Sequence, residues 1–292
     1  RSAMFEILSQ QTFLVVMLGT VLLAISAGMV GCLSYYKGQS LIGDPIGHAA
    51  FPGVIGIFMV FQVREPALFL LGAAITGTLC YLLIQTAQHH RGLSQDAVMA
   101  IFLSGFFGAG LVLKTLIQGN PAWQGASQAG LQNYIFGQAA YMMTSDVVTM
   151  VVVAFICLML VLLFFKELKL FVFDEGYAQT IGYPKPLLHL LLMVMVMLLI
   201  STGLKAVGAV LISSMLILPP IAASQWSCRF SAVMMLAALI GGGCAFVGTW
   251  LSFMGAGIST GPTMILCMGA AAGVSMLIGP YGPIVRRWRR RS

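Results

Sequence analysis

The sequence predicts an all-α fold, a polytopic bundle of eight or nine transmembrane helices that forms a single domain over residues 1–292. Of its residues, 59% are hydrophobic and only 8% are charged, whereas soluble domains carry about 25% charged residues. Apolar runs of about 20 residues, the length that crosses a bilayer, recur along the whole chain and leave no room for a soluble domain. Arg1 and Ser2 precede Met4 and are expected to be foreign to the natural sequence.

The individual spans follow from the apolar runs between charged or Gly- and Pro-rich segments. Nine are predicted, at about residues 11–33, 41–62, 66–87, 95–117, 145–165, 187–203, 206–223, 230–253 and 262–284. The sixth and seventh are short for a hydrocarbon core of about 30 Å, so the number falls to eight if one of them is re-entrant. Residues 166–186 carry the longest charged interval and are predicted to lie at the membrane interface.

The positive charge of the chain is concentrated at its C-terminus. The formal net charge is +7, and five arginines lie between residues 286 and 291, directly after the last apolar run. This arrangement is typical of a cytoplasmic anchor, so it indicates membrane orientation and not nucleic-acid binding. With a cytoplasmic C-terminus, nine alternating spans also put Lys37, Arg229 and the cations of residues 89–91 and 166–185 in the cytoplasm. Residues 118–133 and 255–261 are then outside.

Asp44 and His48 are the ionisable residues of an otherwise uncharged, apolar segment, residues 41–56. Their spacing is one helical turn, so both side chains are expected on one face of a helix. Asp44 followed by Pro45 predicts an N-cap with proline at the first helical position. Ionisable groups inside a bilayer cost at least a few kcal/mol and usually face a bundle interior or a water-filled path.

Two interpretations of this pair stay open from its residues alone. In one, the Asp44 carboxylate and the His48 imidazole bind a divalent cation. In the other, Asp44 only caps its helix and His48 hydrogen-bonds a neighbouring helix. Pro45, Pro52 and Gly53 are predicted to break or loosen the helix, and irregular backbone inside a membrane is tolerated where it is buried or lines a cavity. This favours the first interpretation.

Motifs that would make the chain an enzyme are absent from its sequence. There is no H-E-x-x-H of an intramembrane metalloprotease and no G-x-x-x-x-G-K-[ST] loop for ATP. The chain is therefore expected to be a transport protein, and any energy for uphill transport must come from another chain or from an ion gradient. His189 is expected to be an interfacial or packing histidine and Lys205 an interfacial cation.

Five segments, in this order along the chain, resemble the membrane subunits of the bacterial ABC importers for manganese, zinc and iron. Residues 43–53 are similar to G-D-[AS]-x-[SG]-H-[AS]-x-x-P-G, and residues 173–182 to the loop F-D-x-x-x-A-x-x-x-G. The other three segments are residues 94–113, 131–140 and 207–220. Together they extend over essentially the whole chain. Pro45 and Pro220 depart from the family pattern, which has Ala or Ser at the first position and Ala at the second.

This resemblance implies a metal site and a coupling element. Asp44 and His48 would coordinate the ion within the membrane, and residues 174–182 would form a short cytoplasmic coupling helix on an ATPase. The residues assigned to that helix are Asp174, Glu175, Ala178 and Gly182. The chain itself would bind no cofactor, because ATP belongs to the partner subunit and manganese, zinc or iron is the transported ion.

The resemblance also implies partners and a location. These are a cytoplasmic ATPase subunit, an extracytoplasmic metal-binding protein, a second copy of the permease or a related one, and the lipid of the bacterial inner membrane. The predicted function is ATP-driven import, with manganese ranked before zinc and iron. The alternative is a proton- or sodium-coupled secondary carrier that uses Asp44 as its coupling carboxylate, and dependence on an ATPase distinguishes the two.

Overall fold

The computed structural model describes residues 11–62, 65–88, 94–119, 144–254, 258–283 and 285. Within these ranges the chain forms eleven α-helices and one short 3-10 helix. The α-helices are α1 (Gln11–Tyr36), α2 (Gly43–Phe61), α3 (Pro66–Gln88), α4 (Gln95–Gly119), α5 (Thr144–Leu163), α6 (Phe165–Phe173), α7 (Glu175–Thr180), α8 (Lys185–Ala206), α9 (Ala209–Ser224), α10 (Phe230–Met254) and α11 (Thr260–Ile278). The 3-10 helix, η1, is Ser40–Ile42 and directly precedes α2.

Eight of these helices are long and apolar enough to cross a membrane, namely α1 to α5, α8, α10 and α11. The predicted all-α membrane bundle is therefore confirmed. The sixth predicted span is a full-length helix, α8, so the ambiguity between eight and nine spans concerns α9. That helix has 16 residues, or about 24 Å at 1.5 Å per residue, against a hydrocarbon core of about 30 Å.

The last predicted span is displaced from the helix that forms. Residues 262–284 were expected to cross the membrane, whereas α11 runs from Thr260 to Ile278. Its last backbone hydrogen bond is donated by Gly279 N to the Ser275 carbonyl at 2.8 Å. Pro280 is the next residue. Proline has no amide hydrogen and its ring obstructs the preceding turn, so the helix ends there although the residues remain fairly apolar.

Helix α1 lies at the centre of the bundle, and α2 is held on one side of it. Helix α1 packs against α10, α5, α9 and α8, while α2 packs against α3, α4 and α9. Helices α2 and α3 approach each other closely at two glycines, because a Cβ on either Gly53 or Gly72 would collide with the backbone carbonyl of the other. Small residues at such crossings let two backbones approach each other.

Helix α4 is the least buried of the eight membrane-spanning helices. A Cβ placed on Gly105 or Gly108 would meet no atom within 4 Å among the described residues, and Gly105 is exposed. Gly105 and Gly108 thus pack against no described part of this chain, whereas a Cβ on Gly110 would lie 2.5 Å from the Phe51 ring of α2. Helix α4 presents this face to whatever surrounds the bundle.

One end of the bundle carries a cluster of charged side chains around Glu175. Lys37 follows α1, Lys185 begins α8, and both contact Glu175 at the start of α7. Lys37 and the 166–185 segment therefore lie at one end, as the alternation of spans predicts; we call it the Glu175 end. The histidine pair at 89–90, the connection predicted at 118–133 beyond residue 119, residues 255–257 and the arginine cluster lie outside the described residues, as does the side chain of Lys205.

Candidate metal centre

Asp44 and His48 lie one turn apart at the beginning of α2, and the structure brings their side chains together. The Asp44 Oδ1 atom is 3.8 Å from His48 Nε2. Two bonds of about 2.1 Å, the usual length from zinc to nitrogen or oxygen, can span this separation. One metal ion can therefore contact both side chains from the positions they already hold.

The prediction that Asp44 is the N-cap of this helix is wrong. Because η1 runs directly into α2, the N-cap position falls on Ile42, which has helical backbone angles and makes no side-chain cap bond. Asp44 is the second residue of the helix, and its Oδ1 accepts a hydrogen bond from Ser213 Oγ of α9 at 3.1 Å. The carboxylate is thus directed towards another helix and not towards the backbone of its own.

The predicted helix break is also wrong. Helix α2 continues through Pro45, Pro52 and Gly53 to Phe61. Pro45 falls in the first turn, where the amide hydrogen that proline lacks has no helical partner in any case. Pro52 lies inside the helix, while Gly53 provides the contact with α3 described above. The site is therefore carried by a continuous helix, and the irregular backbone precedes it, in η1.

The point at which His48 contacts α4 gives the depth of the pair within the bundle. The ring of His48 makes an edge-to-face contact with Phe107 of α4, with a centroid separation of 4.8 Å. Phe107 is the midpoint of Gln95–Gly119, so about 18 Å of helix lies on either side of it. The pair therefore lies near the middle of the bundle.

The two side chains differ in exposure. His48 is 8% exposed, and among the described residues its Nδ1 atom, also buried, has no hydrogen-bond partner. The Asp44 side chain remains 41% exposed. The imidazole is thus held by packing, with Nε2 towards Asp44, while the carboxylate stays partly exposed at the surface of this chain. Within the described residues, no group of three or more His, Cys, Asp or Glu side chains could hold a metal ion.

The model of the ABC 3 transport family matches residues 9–279. The chain belongs to this family. It is 34% identical over 290 residues to the zinc transport system membrane protein TroC of Treponema pallidum, covering 99% of this chain and 96% of TroC. It is 37% identical over 265 residues to the manganese transport system membrane protein MntC of Bacillus subtilis, covering 91% of this chain and 60% of MntC.

A solved structure agrees with this assignment. PsaBC from Streptococcus pneumoniae, in complex with Fab, matches with a TM-score of 0.84 at 25% identity, over 98% of this chain and 99% of that one. The resemblance found in five sequence segments is therefore confirmed at the level of the family. As a member of the ABC 3 transport family, this chain is a membrane permease and not the ATPase.

The second element expected in this ABC 3 family chain, a short helix around residues 174–182, is present as α7. Asp174 is its N-cap and accepts a hydrogen bond from Tyr177 N at 2.8 Å. Ala178 is buried, and Gly182 has a φ of 98°, a left-handed conformation that glycine adopts without steric cost. These three residues explain why a six-residue helix forms and ends at this point.

Glu175 joins α7 to the rest of the bundle. Its Oε2 lies 2.7 Å from Lys37 Nζ and its Oε1 lies 2.6 Å from Lys185 Nζ. Hydrogen bonds from Lys185 and then from Lys37 lower the pKa of Glu175. Because this pKa is lower in the folded chain, the pairing stabilises the fold above the ordinary pKa of a glutamate and is lost as the pH falls through the lowered value. At neutral pH the contact is fully formed.

His189 does not join the Asp44 pair. It lies one turn into α8, where Nε2 shares a hydrogen bond with the Tyr81 hydroxyl of α3, and its ring meets Phe171 edge-on. Gln85 Nε2 also donates to the Tyr81 hydroxyl, at 3.0 Å. His189 therefore packs between helices, as expected, and borders a cavity of about 420 Å³ at the Glu175 end that is also lined by Lys37, Gln39, Gln85, Glu175, Lys185 and Pro186.

Two residues that contact Asp44 and His48 were not predicted from the sequence. Ser213 is one of two adjacent serines in an apolar segment, and Phe107 is one of 18 phenylalanines. They come from α9 and α4, which are distant in the chain from α2. No local pattern distinguishes them, since their role follows from how those helices pack against α2.

Proposed function

We propose that this chain is the ion-conducting membrane subunit of an ATP-driven importer for divalent transition metal ions. The observation that carries the proposal is the juxtaposition of Asp44 and His48 in the middle of the bundle, 3.8 Å apart. An ionisable pair at this depth costs free energy and is retained where it serves an ion pathway. The other interpretation of the pair was that Asp44 only caps its helix while His48 hydrogen-bonds a neighbouring helix. That interpretation loses its support, because Asp44 is not a helix cap.

The ligand types favour manganese, iron and zinc as substrates. A carboxylate suits manganese, an imidazole suits zinc and iron, and the absence of a thiolate from the pair disfavours copper(I). The relatives named for zinc and for manganese support the same group of ions. Manganese ranks first, then zinc or iron, as the sequence resemblance implies.

A second permease, identical or related, completes the site. One chain offers two strong ligands and the Ser213 hydroxyl, whereas zinc takes four ligands and manganese commonly takes six. The 41% exposure of the Asp44 side chain supports a shared site, because a carboxylate at mid-depth is not exposed to lipid. The glycine face of α4 beside it, with Gly105 exposed, would allow a close approach by the second chain.

A cytoplasmic ATPase docks at the Glu175 end. Outside the spans, the apolar side chains of Phe173, Tyr177 and Ile181 are each more than half exposed on or next to α7, which supports contact with a protein partner. This end is cytoplasmic by the distribution of basic residues. The ion then enters from the opposite side, from an extracytoplasmic metal-binding protein, across the bacterial inner membrane.

The test is uptake of radioactive manganese, zinc and iron by proteoliposomes that hold either the complete complex or this chain alone. We expect uptake only when the complete complex and ATP are both present. Of the three metals, unlabelled manganese should be the strongest competitor against uptake of the radioactive ion. The control complex carries an ATPase subunit that binds ATP without hydrolysing it. Uptake by this chain alone, driven by a proton or sodium gradient, would instead identify a secondary carrier.

A further inference from the structure

Lys37 is held by three contacts with one part of the chain. It is the first residue after α1, and its ammonium group pairs with Glu175 Oε2 at 2.7 Å and donates to the Phe171 carbonyl at 3.3 Å. The same group lies 3.9 Å from the centroid of the Phe171 ring. Its side chain is only 12% exposed, so most of Lys37 is covered by the contacts that hold it.

Lys185 provides an internal comparison. It pairs with the other carboxylate oxygen of Glu175, at 2.6 Å, but its side chain is 50% exposed. Lys185 is also the first residue of α8, which follows α7 directly along the chain. It therefore fastens α7 to its own neighbour, whereas Lys37 fastens α7 to an element that lies far away in the sequence.

The chain between Lys37 and Asp44 has little freedom to absorb a displacement. Gly38 N bonds the Tyr35 carbonyl at 3.1 Å, Gln39 N bonds the Ser34 carbonyl at 2.9 Å, and Ile42 N bonds the Gln39 carbonyl at 3.2 Å. Helix η1 then passes into α2 without a loop. A movement of Lys37 would therefore reach Asp44, seven residues later, through hydrogen-bonded backbone.

We propose that Lys37 is a positioning residue that transmits the displacement of α7 to the metal pair. When α7 moves, the Glu175 carboxylate carries Lys37 with it, and the 37–44 segment shifts the beginning of α2 and its Asp44 side chain. This proposal rests on the proposed function, because it takes α7 as the element that an ATPase moves. Its new content is the route from Glu175 through Lys37 and η1 to Asp44.

The test uses the complete complex with three variants of this chain. Lys37→Met removes the ammonium group but keeps the length of the side chain, Lys37→Arg keeps the charge, and Lys185→Gln removes the other partner of Glu175. We expect Lys37→Met to lower the number of ions imported per ATP hydrolysed by about tenfold, within the range of allosteric coupling. Lys37→Arg should restore the ratio, and Lys185→Gln should stay within about twofold of it, since exposed ion pairs contribute little.

A second readout does not depend on metal transport. Amide hydrogen exchange of residues 38–48 is compared between the nucleotide-free complex and the complex trapped with ATP and vanadate. We expect exchange to change with nucleotide in the wild type, in Lys37→Arg and in Lys185→Gln, but not in Lys37→Met. Hydrogen exchange reports the local opening of such a segment directly.

Three outcomes would overturn the proposal. One is equal loss in Lys37→Met and Lys185→Gln, which would mean that Glu175 only anchors α7. Another is a parallel fall of uptake, ATP hydrolysis and unfolding temperature in Lys37→Met, which would mean a structural role. The third is unchanged exchange at residues 38–48 on nucleotide binding in the wild type. If no metal is imported by the wild-type complex, the proposed function fails, and the exchange measurement still decides the route.

Discussion

Asp44→Asn and His48→Gln are each expected to reduce metal uptake by the complete complex about 100-fold, equivalent to about 2.8 kcal/mol. Each change keeps the size of the side chain but removes a strong ligand: the carboxylate charge in one case and the imidazole nitrogen in the other. The 3.8 Å spacing lets one ion contact both groups, so neither group compensates for the other. Uptake of radioactive manganese at several concentrations measures the effect.

Ser213→Ala is the graded control for this pair. Its hydroxyl donates one hydrogen bond to Asp44 Oδ1, a contribution of about 1.5 kcal/mol at the low end for a charged partner, and the variant keeps both the carboxylate and the imidazole. We expect a smaller loss, seen mainly as a higher manganese concentration for half-maximal uptake, with assembly unchanged. Full uptake by an assembled complex with Asp44→Asn would return the pair to a structural role and leave the ion pathway without an assigned ligand.

Gly53→Ala is expected to lower the free energy of unfolding by about 3 kcal/mol, at the upper end of the usual cost of overpacking a core. A Cβ there would collide with the Gly72 carbonyl and the Thr76 hydroxyl. The Gly72 carbonyl belongs to a helical backbone and cannot move aside as a flexible side chain would, so α2 and α3 must separate. Thermal unfolding in detergent and the yield of folded protein measure the effect.

Gly56→Ala is the matched control in the same helix. A Cβ at Gly56 would meet no described atom within 4 Å, and alanine is favoured over glycine in a helix by about 1 kcal/mol. We therefore expect unchanged or slightly higher stability, whereas Gly72→Ala should repeat the loss seen at Gly53. Equal stability of Gly53→Ala and Gly56→Ala would contradict the close α2–α3 contact.

The existence and order of the spans could be predicted from the sequence, because a bilayer requires long apolar helices and few other patterns satisfy it. The short helix α7 was expected from the resemblance to the family, and the structure shows that its cap Asp174 and the left-handed Gly182 delimit it locally. The ends of the spans were harder to predict from the sequence. The end of α11 at Ile278 depends on one proline among apolar residues, and a hydropathy pattern weighs that proline too little.

The geometry of the Asp44–His48 pair was only partly predictable. The spacing of Asp44 and His48 correctly gave their proximity, because helix periodicity is local. The cap assignment failed because Asp-Pro has the same local pattern whether a loop or a 3-10 turn precedes it. Packing decides this case: Ile42 is buried, and a hydrogen bond from Ser213 occupies the carboxylate instead.

The 3-10 turn at Ser40–Ile42 also links the winding of the chain to the orientation of Asp44 and His48. A 3-10 helix turns about 120° and rises about 2.0 Å per residue, against about 100° and 1.5 Å in an α-helix. Rewinding these three residues into α-helical form would rotate the face that carries Asp44 and His48 by about 60° and draw it about 1.5 Å along the helix axis. A rotation of the chain before residue 40 would thus change the direction in which the Asp44 and His48 side chains point.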